Sequence, residues 1–399
     1  MQRNGQMNDS AHMGQPSVDT ALPFFYVMVV WGESYVDMFL DIALPTFMSP
    51  GNLPALSNLK ESRFLILTTP ADRVRIEAAP IFKKLCMVIE PVFVDSPWMG
   101  QNIPYHLKAA RGHRAAAEIA AQGDGYCVYL CPDCLISDGS FRHLEQMARA
   151  GKQAVMTPGL RLIQESVYEE LKQTGKLDGD GPLTFSGREL VEFGMRHLHL
   201  EVQRYNWEHP QFTVHPHMCT WNVPGDTGLL IRAFHLHPML VSMRGAKDFP
   251  SLEVSTIDGD FLGYSVTDWE QIHVETDSDN LLIFSLTGRD ERFAALTPNA
   301  PNIANIQGMA YSPLVNPLHR LFFTRAIKLH SGELGSSWSA VEKKTAPLVY
   351  PILQLDLADK VHLRRVPWRN LVSELKNRVP QRAARMIQEL RPLHNRRGR

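Results

Sequence analysis

The chain has 399 residues, of which 44% are hydrophobic and 21% charged, and its formal net charge is −1. This length allows one large or two ordinary domains, and the near-zero charge excludes a general attraction to nucleic acid or to an anionic membrane. Five cysteines are too few for a secreted disulfide framework. We therefore expect a globular protein whose electrostatic specificity is local.

The N-terminal segment, residues 1–22, is polar and lacks the apolar core of a signal peptide, so we expect a disordered leader. The apolar run that follows, residues 24–31, is far shorter than the roughly 20 residues of a membrane-spanning helix. These features predict a cytoplasmic protein with no transmembrane segment.

Strands and helices alternate in the pattern of residues 24–157. Predicted strands are 24–31, 63–69, 87–94, 126–131 and 153–157, and predicted helices are 35–47, 71–85, 105–121 and 141–150. Pro45 should kink the first helix, while Thr69 and Pro70 form a typical helix start. Such alternation requires crossover connections. It predicts an α/β fold with a mainly parallel, Rossmann-like sheet covered by helices on both faces.

The rest of the chain is less regular. The pattern predicts a helix over 160–176, a capping box at Ser186 and Glu189 that starts a second helix, and a third helix over 318–329. Predicted strands are 227–234, 241–243 and 281–286. An Arg-rich tail, residues 378–399, is expected to be a solvated end.

The central strand ends in Pro132 and Asp133, which places a carboxylate at the carboxyl edge of the sheet. Ligands bind at that edge in open α/β folds, and a carboxylate there can hold Mg²⁺ or Mn²⁺. Asp133 can equally cap the turn that follows it. Residues 32–33 and 68–69 close the first two strands at the same edge and are natural contacts for a base or ribose. No Gly-rich dinucleotide motif, P-loop or nucleophile elbow occurs.

Three cysteines, Cys127, Cys131 and Cys134, have the spacing of a radical S-adenosylmethionine iron–sulfur loop. In an extended strand, however, the first two would stand roughly 13 Å apart, too far to share one cluster. Small buried cysteines in a core are the alternative interpretation.

Histidines and acids form the remaining candidates. His235 and His237 face the same way on an extended segment and could complete a metal site or contact phosphate, although either can be an ordinary core residue. Asp258 and Asp260 could bind metal or sugar hydroxyls, or act as a general base, although Asp-Gly is also a common turn. A second acidic cluster over 273–279 allows the same two interpretations.

Four stretches in the first 290 residues carry a resemblance: WGESY at 31–35, PDCLISDG at 132–139, FHLHP at 234–238 and TIDGD at 256–260. Together they are similar to bacterial glycosyltransferase-like proteins of the GT-A type. That resemblance implies a Rossmann-like sheet whose fourth strand ends in a D-x-D motif that binds Mn²⁺ or Mg²⁺ and the donor diphosphate. Here the stretch is Leu130-Cys-Pro-Asp133, with only the second acid present.

The resemblance also implies roles for individual residues. The metal ligands would be Asp133, His235 and His237, and Asp258 or Asp260 would be the catalytic base or an acceptor contact. The nucleotide-sugar would be held by six further residues: Gly32, Glu33, Thr68, Thr69, Lys108 and Arg111. Residues 23–160 would form the nucleotide-sugar-binding half, 161–300 the acceptor and metal-completing half, and 301–399 a C-terminal extension.

We therefore expect a glycosyltransferase that moves a sugar from a nucleotide-diphosphate donor to an unknown glycan, lipid or protein acceptor, with a divalent cation and without nucleic acid. The alternative is a non-catalytic nucleotide-sugar or carbohydrate-binding protein on the same fold, in which the incomplete motif means lost chemistry. An iron–sulfur radical enzyme is the third hypothesis.

Overall fold

The computed structural model describes residues 22–177, 181–246, 249, 252, 257, 261–266, 268–292 and 300–363. The predicted leader up to residue 21 and the basic tail over 378–399 lie outside the described residues, and so do Asp258 and Asp260. Within the described ranges, no helix is both long enough and apolar enough to cross a lipid bilayer.

Strands and helices are numbered here in chain order over the described ranges. The strands are β1 Phe24–Val29, β2 Arg63–Leu67, β3 Glu90–Phe93, β4 Tyr126–Leu130, β5 Cys134–Ile136, β6 Ala154–Thr157, β7 Gly159–Ile163, β8 Met218–Asn222, β9 Leu229–Ala233, β10 His237–Ser242, β11 Ile272–Val274, β12 Ile283–Thr287 and β13 Ile327–Leu329. The helices are α1 Glu33–Met38, α2 Leu44–Phe47, α3 Pro70–Ala78, α4 Pro80–Val88, α5 Tyr105–Gln122, α6 Ser140–Arg149, α7 Gln164–Gln173, α8 Gly187–Arg196, α9 Leu200–Gln203, α10 Leu262–Ser265, α11 Ile303–Ala310, α12 Pro317–Phe323 and α13 Ser336–Leu363.

A seven-stranded sheet forms the centre of the molecule, in the order β11-β6-β10-β4-β1-β2-β3. All neighbours pair in parallel except β10, which runs antiparallel between β4 and β6. Side chains of β1 alternate between two cores: Val27 packs in the core that contains Ala116 of α5, and Tyr26 in the core that contains Phe141 of α6. This confirms the predicted α/β, Rossmann-like class with a mainly parallel sheet flanked by helices.

Two three-stranded sheets complete the described fold, in the orders β5-β12-β7 and β13-β9-β8. β5 follows β4 after a turn of only three residues, so the first small sheet begins directly at the carboxyl edge of the central sheet. β12 pairs antiparallel with β5 and parallel with β7. The chain therefore passes from one sheet into the other at Asp133.

The predicted helix over 160–176 is wrong in its first part, because residues 159–163 form strand β7 and α7 begins only at Gln164. Leu160 and Leu162 are buried on one face, and the backbone pairs with β12 along five residues. A short apolar run does not distinguish a strand from a buried helical turn, and here pairing with a distant strand decides.

Prolines account for two further differences. The predicted helix over 71–85 is divided into α3 and α4 at Pro80, which lacks a donor for the helix. The segment around Pro45 is helical, but a π-helical turn, Phe39–Ala43, separates α1 from α2. Thr69 caps α3 as predicted, since its hydroxyl accepts from the Asp72 backbone N–H at 3.1 Å. The capping box of Ser186 and Glu189 is also present.

Two predictions fail in the second half of the chain for the same reason. The local sequence pattern does not show which strands will pair with each other. The predicted helix over 318–329 ends at Phe323 in α12, and its last residues form β13, which pairs with β9. Strand β8 was not predicted in the polar, His-rich stretch around residue 218. Its partner is also β9.

Asn52 joins three parts of the structure from a fully buried position. Its amide nitrogen donates to the carbonyls of Thr46 at 2.9 Å and Ser137 at 3.1 Å, and its oxygen accepts from the Phe141 backbone N–H at 3.0 Å. The side chain thus ties α2 to the turn before α6 and to the first turn of α6.

We expect Asn52→Ala to lower the free energy of unfolding by about 2–4 kcal/mol, because it leaves buried backbone groups without partners. Urea unfolding followed by circular dichroism measures this, with an unchanged m-value. The exposed Asn102→Ala is the matched control and should change stability by less than about 0.5 kcal/mol. Equal stability of the two variants would contradict the role assigned to Asn52.

Candidate functional site

The carboxyl edge of the central sheet brings together segments that are far apart in sequence. β1, β2 and β4 run in parallel and end there, and β10 begins there because it runs in the opposite direction. Gly32 follows β1, Thr68 follows β2 and Asp133 follows β4. His235 precedes β10, and His237 is its first residue. In open α/β sheets this edge is where ligands bind.

Asp133 lies in the turn between β4 and β5, and its backbone is fixed. Its carbonyl accepts from the Leu286 N–H at 2.7 Å, which fastens the turn to β12. Burial raises the pKa of the carboxyl to about 6, although the nearby Arg161 guanidinium works against that rise; Glu291 adds to it. A carboxyl with a pKa near 6 can exchange a proton close to neutral pH.

Arg161 supplies the positive charge of this site and was missed by the sequence analysis, which placed it in a helix. It lies on β7, and its Nη1 donates to the Thr287 hydroxyl at 2.9 Å on the adjacent strand β12. Its charge acts on the Asp133 carboxyl and also on His217, whose pKa it helps to lower. The Arg161 charge therefore acts both on the β4–β5 turn and on the His217 ring.

A group of aromatic rings surrounds His217. Its ring centroid lies 4.2 Å from that of Tyr205 and 6.3 Å from that of His235, which in turn lies 4.5 Å from His319. Burial, together with the charges of His235, Arg161 and Arg204, lowers the pKa of His217 to about 3. His217 is therefore neutral at physiological pH, so it can accept or donate a hydrogen bond without carrying charge.

The two histidines predicted as metal ligands are hydrogen-bonded to backbone carbonyls of different segments. Nε2 of His235 donates to the Leu314 carbonyl and Nε2 of His237 to the Tyr129 carbonyl, both at 2.9 Å. In the described ranges, the groups of three whose ligand atoms all lie within 4.8 Å of one another are elsewhere, and Asp133, His235 and His237 do not form such a group. These three side chains do not by themselves fit one cation. Their ligation of Mn²⁺ or Mg²⁺ stays a prediction.

Two of the residues predicted to hold the nucleotide, Gly32 after β1 and Thr69 after β2, donate hydrogen bonds to the same carboxylate, that of Asp72. Gly32, at a φ of +84°, donates its N–H to Asp72 at 3.0 Å, and the Thr69 hydroxyl donates to the same oxygen at 2.7 Å. Glu33 is exposed and lies 4.0 Å from Arg75, and Thr68 is buried. Asp72 thus joins the two strand ends, and nucleotide binding by these residues stays a prediction.

Lys108 and Arg111, which are predicted to lie beside the nucleotide-sugar donor, both contact a neighbouring loop. Nζ of Lys108 donates to the Met99 carbonyl at 2.7 Å, and Nη1 of Arg111 donates to the Gln101 side chain at 3.1 Å. Both contacts hold the loop before α5 against that helix. Binding of the nucleotide-sugar by Lys108 and Arg111 stays a prediction.

The cysteine spacing does not produce a cluster site. Cys127 lies within β4 and Cys134 within β5, and both are fully buried. Burial raises the pKa of Cys127 and of Cys131 to about 12, so these thiols are neutral at physiological pH. Iron–sulfur clusters are held by thiolates, and the local environment disfavours them.

An open cleft of about 680 Å³ lies between α1 and α7, next to the strand ends. It is lined mainly by acids and hydroxyls: Glu33, Ser34, Asp37, Asp41, Gln164, Glu165, Tyr168 and Lys172. Nearer to Asp133, the exposed ring of Tyr35 lies within the electrostatic influence of both Asp133 and Tyr105. Carboxylates and hydroxyls of this kind suit sugar hydroxyls better than phosphate.

Comparisons with known proteins add little. No family model matches the sequence, and a search of curated proteins finds no match. Among solved structures, a putative glucose-1-phosphate thymidylyltransferase from Bacillus anthracis, in complex with a sucrose, is similar at 10% identity with a TM-score of 0.23. The match covers 36% of this chain and 57% of that chain, so this chain spans little more than half of that protein's length. A similarity this low supports neither a fold nor a function.

Asp133 should make stability depend on pH. Its folded pKa of about 6 lies above the unfolded value of about 3.9, so its favourable contribution is complete below about pH 4 and is lost as pH rises through 6. We expect Asp133→Asn to raise the free energy of unfolding by roughly 1–2 kcal/mol at pH 7.5, after allowance for partial exposure, and by much less at about pH 4.5.

Thermal unfolding across that pH range measures the difference between wild type and variant. The exposed Asp95→Asn, in the loop after β3, is the control and should change stability by less than about 0.5 kcal/mol. A constant offset for Asp133→Asn would show that its carboxyl is not desolvated as described.

Proposed function

We propose that this protein is a glycosyltransferase that moves a sugar from a nucleotide-diphosphate donor to a glycan, lipid or protein acceptor. The observation that supports it is the electrostatic interaction of Arg161, on the adjoining small sheet, with Asp133, which follows β4 at the carboxyl edge of a mainly parallel, Rossmann-like sheet. A guanidinium binds phosphate oxygens through paired hydrogen bonds, and this edge is where such sheets bind nucleotides.

We assign Arg161 the role of binding the diphosphate of the donor. Negative charge builds on the departing diphosphate as the sugar leaves, and a fixed cation stabilises that charge without having to reorganise. The bond from Arg161 to Thr287 and the pairing of β7 with β12 hold the guanidinium in place. In this assignment the protein supplies through Arg161 the charge that a D-x-D metal would otherwise provide.

We assign Asp133 the role of the base that deprotonates the acceptor hydroxyl. Its pKa of about 6 allows the carboxylate to take up the proton of an acceptor hydroxyl near neutral pH. Tyr35 and Tyr105, both exposed, offer ring faces for a sugar or a base beside it. Asp258 and Asp260, the predicted bases, lie outside the described residues and remain candidates for the same role.

A non-catalytic binding protein is the second candidate. It is favoured by the single acid of the D-x-D stretch and by the engagement of both His235 and His237 with backbone carbonyls. Such a protein would bind the nucleotide-sugar through Arg161 without cleaving it.

We expect UDP or GDP to raise the melting temperature of the wild type, and Arg161→Ala to weaken binding of the same nucleotide about 10- to 100-fold, because it removes charge-assisted hydrogen bonds. Isothermal titration with each diphosphate, with and without Mn²⁺, measures this. Arg161→Lys keeps the charge but loses the paired geometry and should retain only part of the affinity.

Arg63→Ala is the matched control, since Arg63 opens β2 at the opposite edge of the sheet and pairs with Glu90 at 3.0 Å. It should bind nucleotide as the wild type does. Loss of binding in both variants, or in neither, would contradict the assignment. Binding without hydrolysis or transfer of any nucleotide-sugar would support the non-catalytic binding protein. An affinity that depends on Mn²⁺, and whose dependence Asp133→Asn abolishes, would support a metal ion at Asp133.

A further inference from the structure

Two histidines and a glutamate meet at the β11 end of the central sheet. His143 lies in the first turn of α6, His273 in the edge strand β11, and Glu275 just after that strand. One ligand atom from each residue lies within 4.8 Å of the other two. None of the roles proposed above uses these side chains.

The geometry matches the separations of metal ligands. Oε2 of Glu275 lies 2.7 Å from His143 Nε2 and 3.2 Å from His273 Nε2. Bonds of about 2.0–2.2 Å to nitrogen and oxygen put neighbouring ligands of a tetrahedral ion about 3.4 Å apart. Small side-chain rotations would therefore admit an ion between the two rings and the carboxylate.

The carboxylate is already oriented by its second oxygen. Oε1 of Glu275 accepts from the backbone N–H groups of Thr276 and Asp277, both at 2.9 Å, and from Asn280 Nδ2 at 3.3 Å. The Glu275 N–H in turn donates to the Met156 carbonyl on β6 at 2.9 Å. Oε2 is left to face the imidazoles. Such secondary hydrogen bonds are what orients carboxylate ligands in metal sites.

Burial differs across the cluster in a way that leaves one side accessible. The Glu275 side chain is 4% exposed and that of His143 12%, whereas His273 is 30% exposed. Nε2 of His143 is itself shielded from solvent and lies 2.7 Å from Oε2 of Glu275. An ion could enter past His273 and keep a water molecule in its fourth position.

The cluster is separate from the Asp133 site and from the other group of ligand atoms. β11 is three strands away from β4, about 14 Å along the sheet. In the neighbouring group of Asp277, Asp279 and His330, Asp279 is paired with Arg188 and Asp277 with His330, each at 2.9 Å. Arg188 thus already supplies a positive charge to that group, so it is the weaker candidate for a cation.

We propose that His143, His273 and Glu275 bind one divalent ion of the zinc type, which joins α6 to the edge strand β11. Two imidazoles and one carboxylate form a donor set that suits Zn²⁺ and related transition metals, whereas Mg²⁺ prefers oxygen ligands. β11 pairs with the sheet over only three residues, so a bond to α6 would secure the edge. This site does not depend on the proposed glycosyl transfer.

The test uses the full chain after treatment with EDTA. We expect isothermal titration to show one equivalent of Zn²⁺ bound, a rise in melting temperature that saturates at that ratio, and no comparable response to Mg²⁺. Bound Co²⁺ should give the visible absorption of a low-coordinate site. Neither readout needs a nucleotide or an activity.

Two variants and one control locate the ion. His273→Gln changes the most exposed ligand, and Glu275→Gln retains an oxygen for the three N–H donors, so both should fold and should bind Zn²⁺ at least about 100-fold more weakly. His106→Gln, at an exposed position on α5, should bind as the wild type does. Zn²⁺ binding that survives both His273→Gln and Glu275→Gln, or a wild type that binds no stoichiometric Zn²⁺, would overturn the proposal.

Discussion

The burial of the Asp133 carboxyl beside the Arg161 guanidinium is the constraint on which the proposed site depends. The chain leaves the central sheet at Leu130 and enters the first small sheet at Cys134, so Asp133 is held at the junction of the two. The backbone bond from Leu286 keeps it there, while β7 positions Arg161 from the other side of the same small sheet. An acid whose pKa is raised by burial at a cost to stability is typical of functional sites.

The first half of the fold was accessible from sequence because strand-like and helix-like patterns alternate there, with caps and prolines at several boundaries. The order of the strands was not accessible in full. β10 inserts between β4 and β6 although it follows β6 by about 80 residues, and the apolar pattern of residues 237–242 carries no information about its neighbours. The same holds for β7, whose short run became a strand only through pairing with β12.

The site could be predicted only in its carboxyl-edge part. Asp133 follows a recognisable buried strand, and parallel strands necessarily end at one edge. Arg161 gave no signal, because a single arginine between two leucines fits a helix as well as a strand. His273, in β11, and Glu275, just after it, were visible as a cluster, but His143 lies about 130 residues away on a helix, and local spacing could not bring it to them.

Arg161 and the zinc-type cluster would divide two tasks, phosphate recognition beside the β4–β5 turn and support of the edge strand β11. The central claim concerns the first of these. A crystal structure of the protein soaked with UDP or GDP tests it most directly. The account predicts the diphosphate at the carboxyl edge of β1 and β4, with its oxygens within hydrogen-bond distance of Arg161. A nucleotide bound elsewhere on the molecule, with Arg161 and Asp133 untouched, would contradict it.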